Sequence, residues 1–189
     1  MQPLRSLLVT GSDELTRVLG LLRHATRDRR SSLRNVSLAT VETSGGPRLR
    51  TLVLRGVGEG GETFDFWTDT RSSKVSEIAA NPRVALLFWD GRSIQLRAEG
   101  QATIAAARDD ESIARTLASL PDHALTDYAS RSGPGGALDG KAADLRAEAG
   151  RFFARIRIET ERMDLLLLAR EGHRRWLFEV CGECREVQP

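Results

Sequence analysis

The sequence is poor in cysteine and in long apolar runs, and each scarcity excludes a class of protein. Two cysteines, Cys181 and Cys184, are too few for a disulfide framework, so a reducing cytoplasm is the expected compartment. The longest apolar block, residues 163–169, is interrupted by Asp164 and is too short to span a membrane. The first residues also lack the charged-then-apolar pattern of a signal peptide. We therefore expect a cytoplasmic protein with no membrane partner.

Charge of one sign is also missing. The net charge of the 189-residue chain is only +2, and acidic and basic residues are mixed throughout. A nucleic-acid-binding protein would instead carry a clustered basic face, so nucleic acid is not an expected partner. Lysine is nearly absent. Arginine supplies the positive side-chain charge everywhere except at Lys74 and Lys141. A lysine inside a polar motif is for this reason a candidate functional residue.

The hydrophobic pattern predicts a mostly β fold, an antiparallel split β-barrel of about six strands with peripheral helices. Strands are expected at residues 36–42, 49–55, 63–68, 84–89, 93–104, 152–160, 163–169 and 175–180. Glycine-rich turns and the Asp90-Gly91 pair separate several of them, which is typical of antiparallel hairpins.

Helices are expected at four places in this pattern. The first covers residues 12–27, with Ser12 as its N-cap and an apolar stripe at Leu15, Val18, Leu19 and Leu22. The others cover residues 72–80, residues 109–120 with Asp109 as N-cap, and residues 141–150. We expect residues 1–30 to form a helical extension packed on the barrel and residues 31–189 to form the barrel domain.

The most informative stretch joins the second and third predicted strands to the second helix. Residues 50–55 form a strand with an arginine at each end, and the next strand runs into Thr68, Ser72, Ser73 and Lys74. Hydroxyl groups, one ammonium group and the free N–H groups of a helix N-terminus make a good pocket for a phosphate dianion. The flat side chain of Trp67 is placed to lie against the group that carries the phosphate. This pattern predicts a phosphorylated aromatic cofactor.

The same motifs resemble those of the pyridoxamine 5'-phosphate oxidase-like family of FMN-binding split barrels. Residues 50–55 look like its Arg-x-x-x-Leu-Lys strand, and residues 67–68 occupy its Tyr-Thr position. Residues 72–74 and 81–83 look like its Ser-Arg-Lys helix start and Asn-Pro-Arg helix stop. Residues 173–175 are similar to its His-x-Arg motif, and residues 187–189 to its ending. The likeness runs in order from about residue 35 to the C-terminus.

The resemblance implies FMN as cofactor and a homodimer with FMN at the subunit interface. The cofactor-binding residues that it implies are Arg50, Thr51, Leu52, Val53, Arg55, Trp67, Thr68, Ser72, Ser73, Lys74, Gln95 and Arg175. Gln95 is implied to face the flavin ring, and Arg175 to come from the partner subunit. Candidates for meeting a substrate anion or moving a proton are His173, Arg131 and Arg55. No metal is implied.

Several positions depart from the family pattern. Ser73 stands where the family has an arginine, which removes one charged phosphate contact. Arg55 replaces a lysine and is a poorer proton donor. Residues 171–173, Glu-Gly-His, replace the Arg-Leu-His motif that grips the vitamin phosphate, and the glutamate repels that substrate. FMN binding is therefore expected to be retained more readily than oxidation of pyridoxamine 5'-phosphate.

Three hypotheses for the function, and one further alternative, remain open. The first is an FMN-dependent oxidoreductase that transfers hydride between FMN and an unidentified small molecule. The second is a non-catalytic FMN-binding carrier or sensor, and a genuine pyridoxamine 5'-phosphate oxidase is a further alternative. The third keeps the barrel but fills it with haem or a deazaflavin. The substrate, the electron acceptor and closure of the loop at residues 128–140 over the flavin are not specified by the sequence.

One rival motif lies near the C-terminus. Cys181 and Cys184 have the spacing of a redox or zinc pair, but only five residues follow them. A redox pair normally follows a strand and opens a helix, and zinc would need two further ligands. We expect a hairpin turn at this position.

Overall fold

The computed structural model describes residues 11–137, 144–179 and 183–189. Its strands are β1 Asn35–Val41, β2 Pro47–Val57, β3 Thr63–Asp69, β4 Arg83–Trp89, β5 Ile94–Ala106, β6 Phe153–Leu167, β7 Arg174–Glu179 and β8 Cys184–Val187. Its helices are α1 Gly11–Ala25, α2 Ser73–Ala80, α3 Glu111–Ala118, α4 Asp122–Leu125 and α5 Leu145–Phe152, with a 3-10 turn at Ser32–Arg34. In these ranges, none of the helices has the length and apolar character needed to cross a membrane.

Six of the strands close into an antiparallel barrel. The strands follow the order β3-β2-β1-β4-β5-β6-β7-β8, and an additional pairing of β3 with β6 closes the ring. The first half of β6 pairs with β3, from Phe153 to Glu159, and its second half pairs with β7, from Arg162 to Leu167. Strands β7 and β8 therefore leave the barrel as a two-stranded extension. The predicted mostly β, six-stranded split barrel is confirmed, with two extra strands.

Two details of the predicted strands are wrong. The separate strands expected at residues 152–160 and 163–169 are one continuous strand, β6, because a register shift in the β5–β6 pairing at Glu99 and Gly100 absorbs the irregularity. Strand β8 was not expected, since its four residues are largely exposed and show no apolar alternation. Strands β7 and β8 pair in antiparallel fashion, whereas residues 180–182, which include Cys181 of the predicted turn, lie outside the described residues.

Both predicted helix caps are also wrong. Helix α1 begins at Gly11, so Ser12 lies in its first turn and is not its N-cap. Helix α3 is capped by Asp110 instead of Asp109, because the Asp110 carboxylate is the one that accepts hydrogen bonds from the N–H groups of Ser112 and Ile113. Helix α5 begins at Leu145, and residues 141–143 of the predicted helix lie outside the described part.

One hydrophobic core fills the barrel and extends under α1. Val18 and Leu22 of α1 are fully buried in the same cluster as Phe64, Phe88 and Trp176. A smaller cluster around Phe153 joins α3, α4 and α5 to the outside of the barrel. Helix α2 packs against β1 and β5 and so covers the inward-facing side chains at one end of the barrel. The division of the chain at residue 30 stays a prediction.

Candidate functional site

The junction between β3 and α2 is shaped by short polar side chains. The Asp69 carboxylate accepts a hydrogen bond from the Arg71 backbone N–H at 2.8 Å, which turns the chain sharply after β3. Ser72 then occupies the N-cap of α2 with extended backbone angles, but its side chain makes no capping hydrogen bond. The Val75 N–H donates to the Ser72 carbonyl, and the N–H groups that precede it in α2 have no side-chain cap and are open to an anion.

Lys74 points back from α2 over this junction. Its Nζ donates to Ser72 Oγ at 2.5 Å and to Thr68 Oγ1 at 3.4 Å. Burial lowers the Lys74 pKa, and the nearby positive charge of Arg50 lowers it further, while Asp69 and Glu77 act in the opposite direction. The structure thus gathers the ammonium group of Lys74, the hydroxyl groups of Thr68 and Ser72, and the N-terminus of α2 in a half-buried position, which we call the Lys74 cluster.

Arg50 lies on the same end of the barrel as Lys74. It occupies the inward-facing row of β2, opposite Leu38, and its side chain reaches α2. Its guanidinium donates to Glu77 Oε2 at 2.6 Å and also to Thr40 Oγ1, and Thr40 in turn donates to Glu77. Arg50 and Lys74 thus lie near each other, and the buried carboxylate of Glu77 lies at the same place.

Arg55 and Trp67 form the wall of a separate, open cavity of about 420 Å³. The Arg55 guanidinium lies 4.0 Å from the centre of the Trp67 ring, and its Nε is buried with no hydrogen-bond partner among the described residues. Burial lowers the pKa of Arg55. The cavity is also lined by Arg29, Arg34, His123 and Asp127, so arginines outnumber carboxylates among its charged residues.

Gln95 and Arg175 lie together at a different place. Gln95 is opposite Leu166, and Leu166 is opposite Arg175, so the two residues share one outward-facing row across β5, β6 and β7. Thr68 pairs instead with Ala154, near the other end of β6, about 40 Å away along that strand. Within one chain, therefore, Arg175 does not join the Lys74 cluster.

Arg175 is held by a buried carboxylate. Its Nε and Nη2 donate to the two oxygens of Asp164 at 3.0 and 2.7 Å, and Arg97 donates to the same carboxylate. These bonds outweigh the effect of burial, which alone would raise the Asp164 pKa, and the net shift is downward. The three side chains line an open cavity of about 230 Å³.

The remaining predicted residues are dispersed. Thr51 and Ser73 are exposed, Leu52 packs against the core, and Val53 lines the cavity of Arg55. His173 is exposed in the turn after β6, where its Nδ1 accepts a hydrogen bond from Ala169 N–H at 3.3 Å. Arg131 is exposed as well, and its backbone carbonyl accepts a hydrogen bond from Arg71 at 3.0 Å. Neither His173 nor Arg131 therefore joins the Lys74 cluster.

Among the polar residues of these clusters, Thr40, Glu77, Arg97 and Asp164 were not predicted from the sequence. For Glu77 a signal existed, since it follows Lys74 by three residues and therefore lies on the same face of α2. For Thr40 and Asp164 no local signal existed, because their partners come from other strands.

Comparison with known proteins shows what this arrangement is similar to. The family model described as pyridoxamine 5'-phosphate oxidase, FMN-binding domain, matches residues 18–106, which include β1 to β5 and the Lys74 cluster. The pyridoxine/pyridoxamine 5'-phosphate oxidase of Cupriavidus taiwanensis is 44% identical over 78 residues, which cover 41% of this chain and 35% of that protein. The protein of the same name from Granulibacter bethesdensis is 44% identical over 85 residues, 43% of this chain and 40% of its own. The chain thus matches well under half the length of these relatives.

Solved structures extend the likeness to nearly the whole chain. A pyridoxamine 5'-phosphate oxidase-related, FMN binding protein from Nostoc punctiforme superposes with a TM-score of 0.75 at 25% identity, covering 92% of this chain and 96% of that one. PhzG from Burkholderia lata, solved in complex with tetrahydrophenazine-1-carboxylic acid, gives a TM-score of 0.71 at 21% identity over 94% and 93% of the two chains. The second likeness concerns the fold alone.

Proposed function

We propose that the chain is a member of the pyridoxamine 5'-phosphate oxidase-like family of FMN-binding split barrels, that it binds FMN, and that it is an oxidoreductase acting on a small anionic molecule. The match of residues 18–106 to the FMN-binding domain model and the similarity to the Nostoc punctiforme structure support this proposal. The Lys74 cluster is the observation that carries this proposal. Nothing in the two residue clusters or in the composition requires a metal or a nucleic acid. The proposed compartment is the reducing cytoplasm, because two cysteines are too few for a disulfide framework.

The residues around Lys74 fit the phosphate group of FMN. The ammonium group of Lys74 lies within hydrogen-bonding distance of both the Thr68 and the Ser72 hydroxyl groups. Arg50 adds a second positive charge, and the uncapped N-terminus of α2 adds backbone N–H donors. A phosphate dianion would satisfy these donors and relieve the repulsion between Lys74 and Arg50.

The cavity beside Trp67 is the proposed position for the substrate. Arg55 places at its wall a buried Nε that has no hydrogen-bond partner in the described part of the chain, and Arg29 and Arg34 add positive charge to the lining. A carboxylate or phosphate on the substrate would satisfy the Arg55 guanidinium. Glu171 and His173 are exposed in the turn after β6, and Glu171 disfavours a second phosphate contact there. A substrate other than pyridoxamine 5'-phosphate is the proposal that these residues favour.

We propose that the site is completed by a second copy of the chain. Arg175 and Gln95 share a row on the outside of the barrel, remote along β6 from Thr68. Beside that row lies a surface that we call the β4 face, formed by Ala39, Leu49, Ala85, Leu87 and Trp89. Of the four large apolar side chains exposed in the described ranges, three are on this face. An apolar sheet face of this kind is typical of a subunit interface.

When bound, FMN supplies the hydride-accepting chemistry, and the protein binds, orients and shields it. Lys74 and Arg50 are the residues that would neutralise the phosphate. Gln95 would hydrogen-bond the polar edge of the ring system, with Arg175 beside it. Arg55 would orient the substrate anion, and Trp67 would exclude water from that side of the cavity.

A non-catalytic FMN carrier or sensor is the second candidate, favoured by the exposed Glu171 at a substrate-binding position of the family. Stopped-flow spectroscopy separates the two candidates. Reduction of the bound flavin within seconds by NAD(P)H or by an amine, followed by reoxidation, supports the oxidoreductase. A flavin that none of a panel of reductants bleaches supports the carrier.

The central experiment measures flavin occupancy after purification. The wild-type chain is expected to be yellow and to release FMN, identified by mass. Lys74→Ala is expected to weaken FMN binding by about 10- to 100-fold, because a charged hydrogen bond to the phosphate is lost. Arg50→Ala with Lys74→Ala is expected to be folded but largely colourless.

Arg48→Ala with Arg83→Ala is the matched control. It removes the same charge from two exposed arginines and is expected to stay yellow. Circular dichroism checks folding in every variant, which is necessary because Arg50→Ala also leaves Glu77 without its partner. Unchanged FMN occupancy in the folded double variant would contradict the proposed phosphate site.

A further inference from the structure

A buried carboxylate lies in the proposed phosphate site, where an anion is expected to bind. Glu77 is only 5% exposed, on the second turn of α2, one helical turn after Lys74. Its Oε2 accepts hydrogen bonds from Arg50 at 2.6 Å and from Thr40. Burial alone would raise the Glu77 pKa, but the bonds from Thr40 and Arg50 and the charge of Arg50 outweigh it, and the net shift is downward. Glu77 is therefore anionic at neutral pH.

The charges around Glu77 form a compact group. Arg50 and Lys74 are close enough for the charge of Arg50 to lower the Lys74 pKa, and Glu77 opposes that shift. Asp69 is also near Lys74, but its carboxylate is engaged by Arg71, with Nε at 3.0 Å and Nη2 at 2.6 Å. Glu77 is the carboxylate that binds Arg50 directly. Two half-buried cations without such an anion would repel each other strongly.

We propose that Glu77 is the resident counter-ion of the phosphate site, a positioning residue that balances Arg50 and Lys74 when FMN is absent and that weakens FMN binding. This inference rests on the proposed function. Glu77 and the phosphate attract the same two cations, Arg50 and Lys74. The negative charge of Glu77 therefore reduces the binding free energy that the phosphate gains from them. The carboxylate thus stabilises the apoprotein and makes the flavin easier to release.

The proposal predicts opposite effects on stability and affinity. Glu77→Gln keeps the size of the side chain and an oxygen that can accept from Arg50, but it removes the charge. The apoprotein is expected to melt about 5 °C lower, because Arg50 and Lys74 lose their counter-ion. FMN is expected to bind about tenfold more tightly, because the phosphate no longer competes with a carboxylate.

The experiment titrates apoprotein with FMN and, separately, with riboflavin, which lacks the phosphate. Quenching of flavin fluorescence gives the two dissociation constants, and their ratio isolates the phosphate site. For Glu77→Gln the ratio is expected to change about tenfold in favour of FMN, with riboflavin affinity unchanged. Glu42→Gln is the matched control, because Glu42 is paired with the exposed Arg48 of β2, the strand that also carries Arg50. This variant is expected to change neither dissociation constant.

Each other outcome contradicts the proposal. If Glu77→Gln weakens FMN binding, Glu77 serves only to orient Arg50, and if the ratio is unchanged, its charge does not reach the phosphate. Glu77→Asp is a second variant that keeps a negative charge in the core, and a smaller shift of the ratio in the same direction is expected from it. If Glu77→Gln does not fold, an unchanged ratio in Glu77→Asp overturns the inference. Wild-type protein that binds no FMN overturns the proposed function as well, whereas a failure confined to the Glu77 variants leaves it intact.

Discussion

At the scale of single residues, polar side chains of this barrel are organised around buried carboxylates. Asp164 binds Arg97 and Arg175, Glu77 binds Arg50, and Asp69 binds Arg71. Each carboxylate is at most 8% exposed. Because a buried charge without a partner is costly, each carboxylate fixes the position of an arginine that the sequence alone leaves free.

Asp164→Asn is expected to lower the free energy of unfolding by about 2 to 3 kcal/mol at pH 7, since Arg97 and Arg175 lose their shared anion but keep some access to water. The Asp164 pKa is depressed in the folded state, so its contribution is complete above the unfolded pKa of about 4 and is lost as the pH falls through the folded pKa. Urea unfolding of the wild type and the variant at pH 7 and at pH 3 measures the free energy of unfolding of each protein at each pH.

The difference in the free energy of unfolding between wild type and Asp164→Asn is expected to be smaller at pH 3 than at pH 7. Asp109→Asn is the control, because Asp109 forms an exposed pair with Arg108 and is expected to change stability by less than about 0.5 kcal/mol at either pH. A difference that stays constant from pH 7 to pH 3 would show that the charge of Asp164 is not the stabilising feature.

Residues with a local signature were predictable, and residues defined by tertiary pairing were not. Thr68, Ser72 and Lys74 were predicted as one cluster because a strand, a turn and a helix start place them within seven residues of sequence. The pairing of Asp164 with Arg97 depends on the register of β5 against β6, which no short-range pattern specifies. The roles of His173 and Arg131 toward a substrate stay predictions.

At the scale of elements, the longest strand shows where pattern reasoning stops. The alternation in residues 153–167 is interrupted at Glu161 and Arg162, which predicted two strands. The structure keeps one strand because a bulge shifts the β5–β6 register between Glu99 and Gly100. A long shared strand is what lets β6 pair with β3 and also with β7.

Gly100→Ala tests this bulge. A Cβ at Gly100 would lie 1.9 Å from the Glu159 carbonyl oxygen, so the two strands would have to separate. We expect a loss of about 3 kcal/mol or more in the free energy of unfolding. Thermal and urea unfolding, followed by circular dichroism, measure it.

Gly20→Ala provides the contrast in the same chain. A Cβ at Gly20 meets no atom within 4 Å, and the residue lies inside α1, so we expect a gain of about 0.5 to 1 kcal/mol from the better helix propensity of alanine. Equal stability of the Gly100→Ala and Gly20→Ala variants would refute the close approach of β5 and β6 at the bulge.

At the scale of the whole molecule, a closed barrel separates inward-facing and outward-facing residues. The inward rows build the core, and the outward row of Trp89, Gln95, Leu166 and Arg175 is left on the surface. The sequence predicted a strand at residues 93–104, in which alternate residues face opposite sides of the sheet. It could not show that Gln95 and Arg175 share a row, because that depends on how β6 lies between them.

The proposed dimer is tested by placing a charge on the β4 face. Trp89 is 39% exposed on the outward side of β4, opposite Gln95, and Trp89→Glu would bury a carboxylate if a second copy covers this surface. The variant is expected to sediment as a monomer where the wild type sediments as a dimer. FMN is expected to be lost at the same time, because Arg175 and Gln95 of the second copy can no longer complete the site.

Leu21→Glu, which places the same charge at an exposed apolar position of α1, is expected to leave both the dimer and its flavin intact. A Trp89→Glu protein that remains a dimer would exclude this face as the interface, and a monomer with full flavin occupancy would exclude a site shared between subunits.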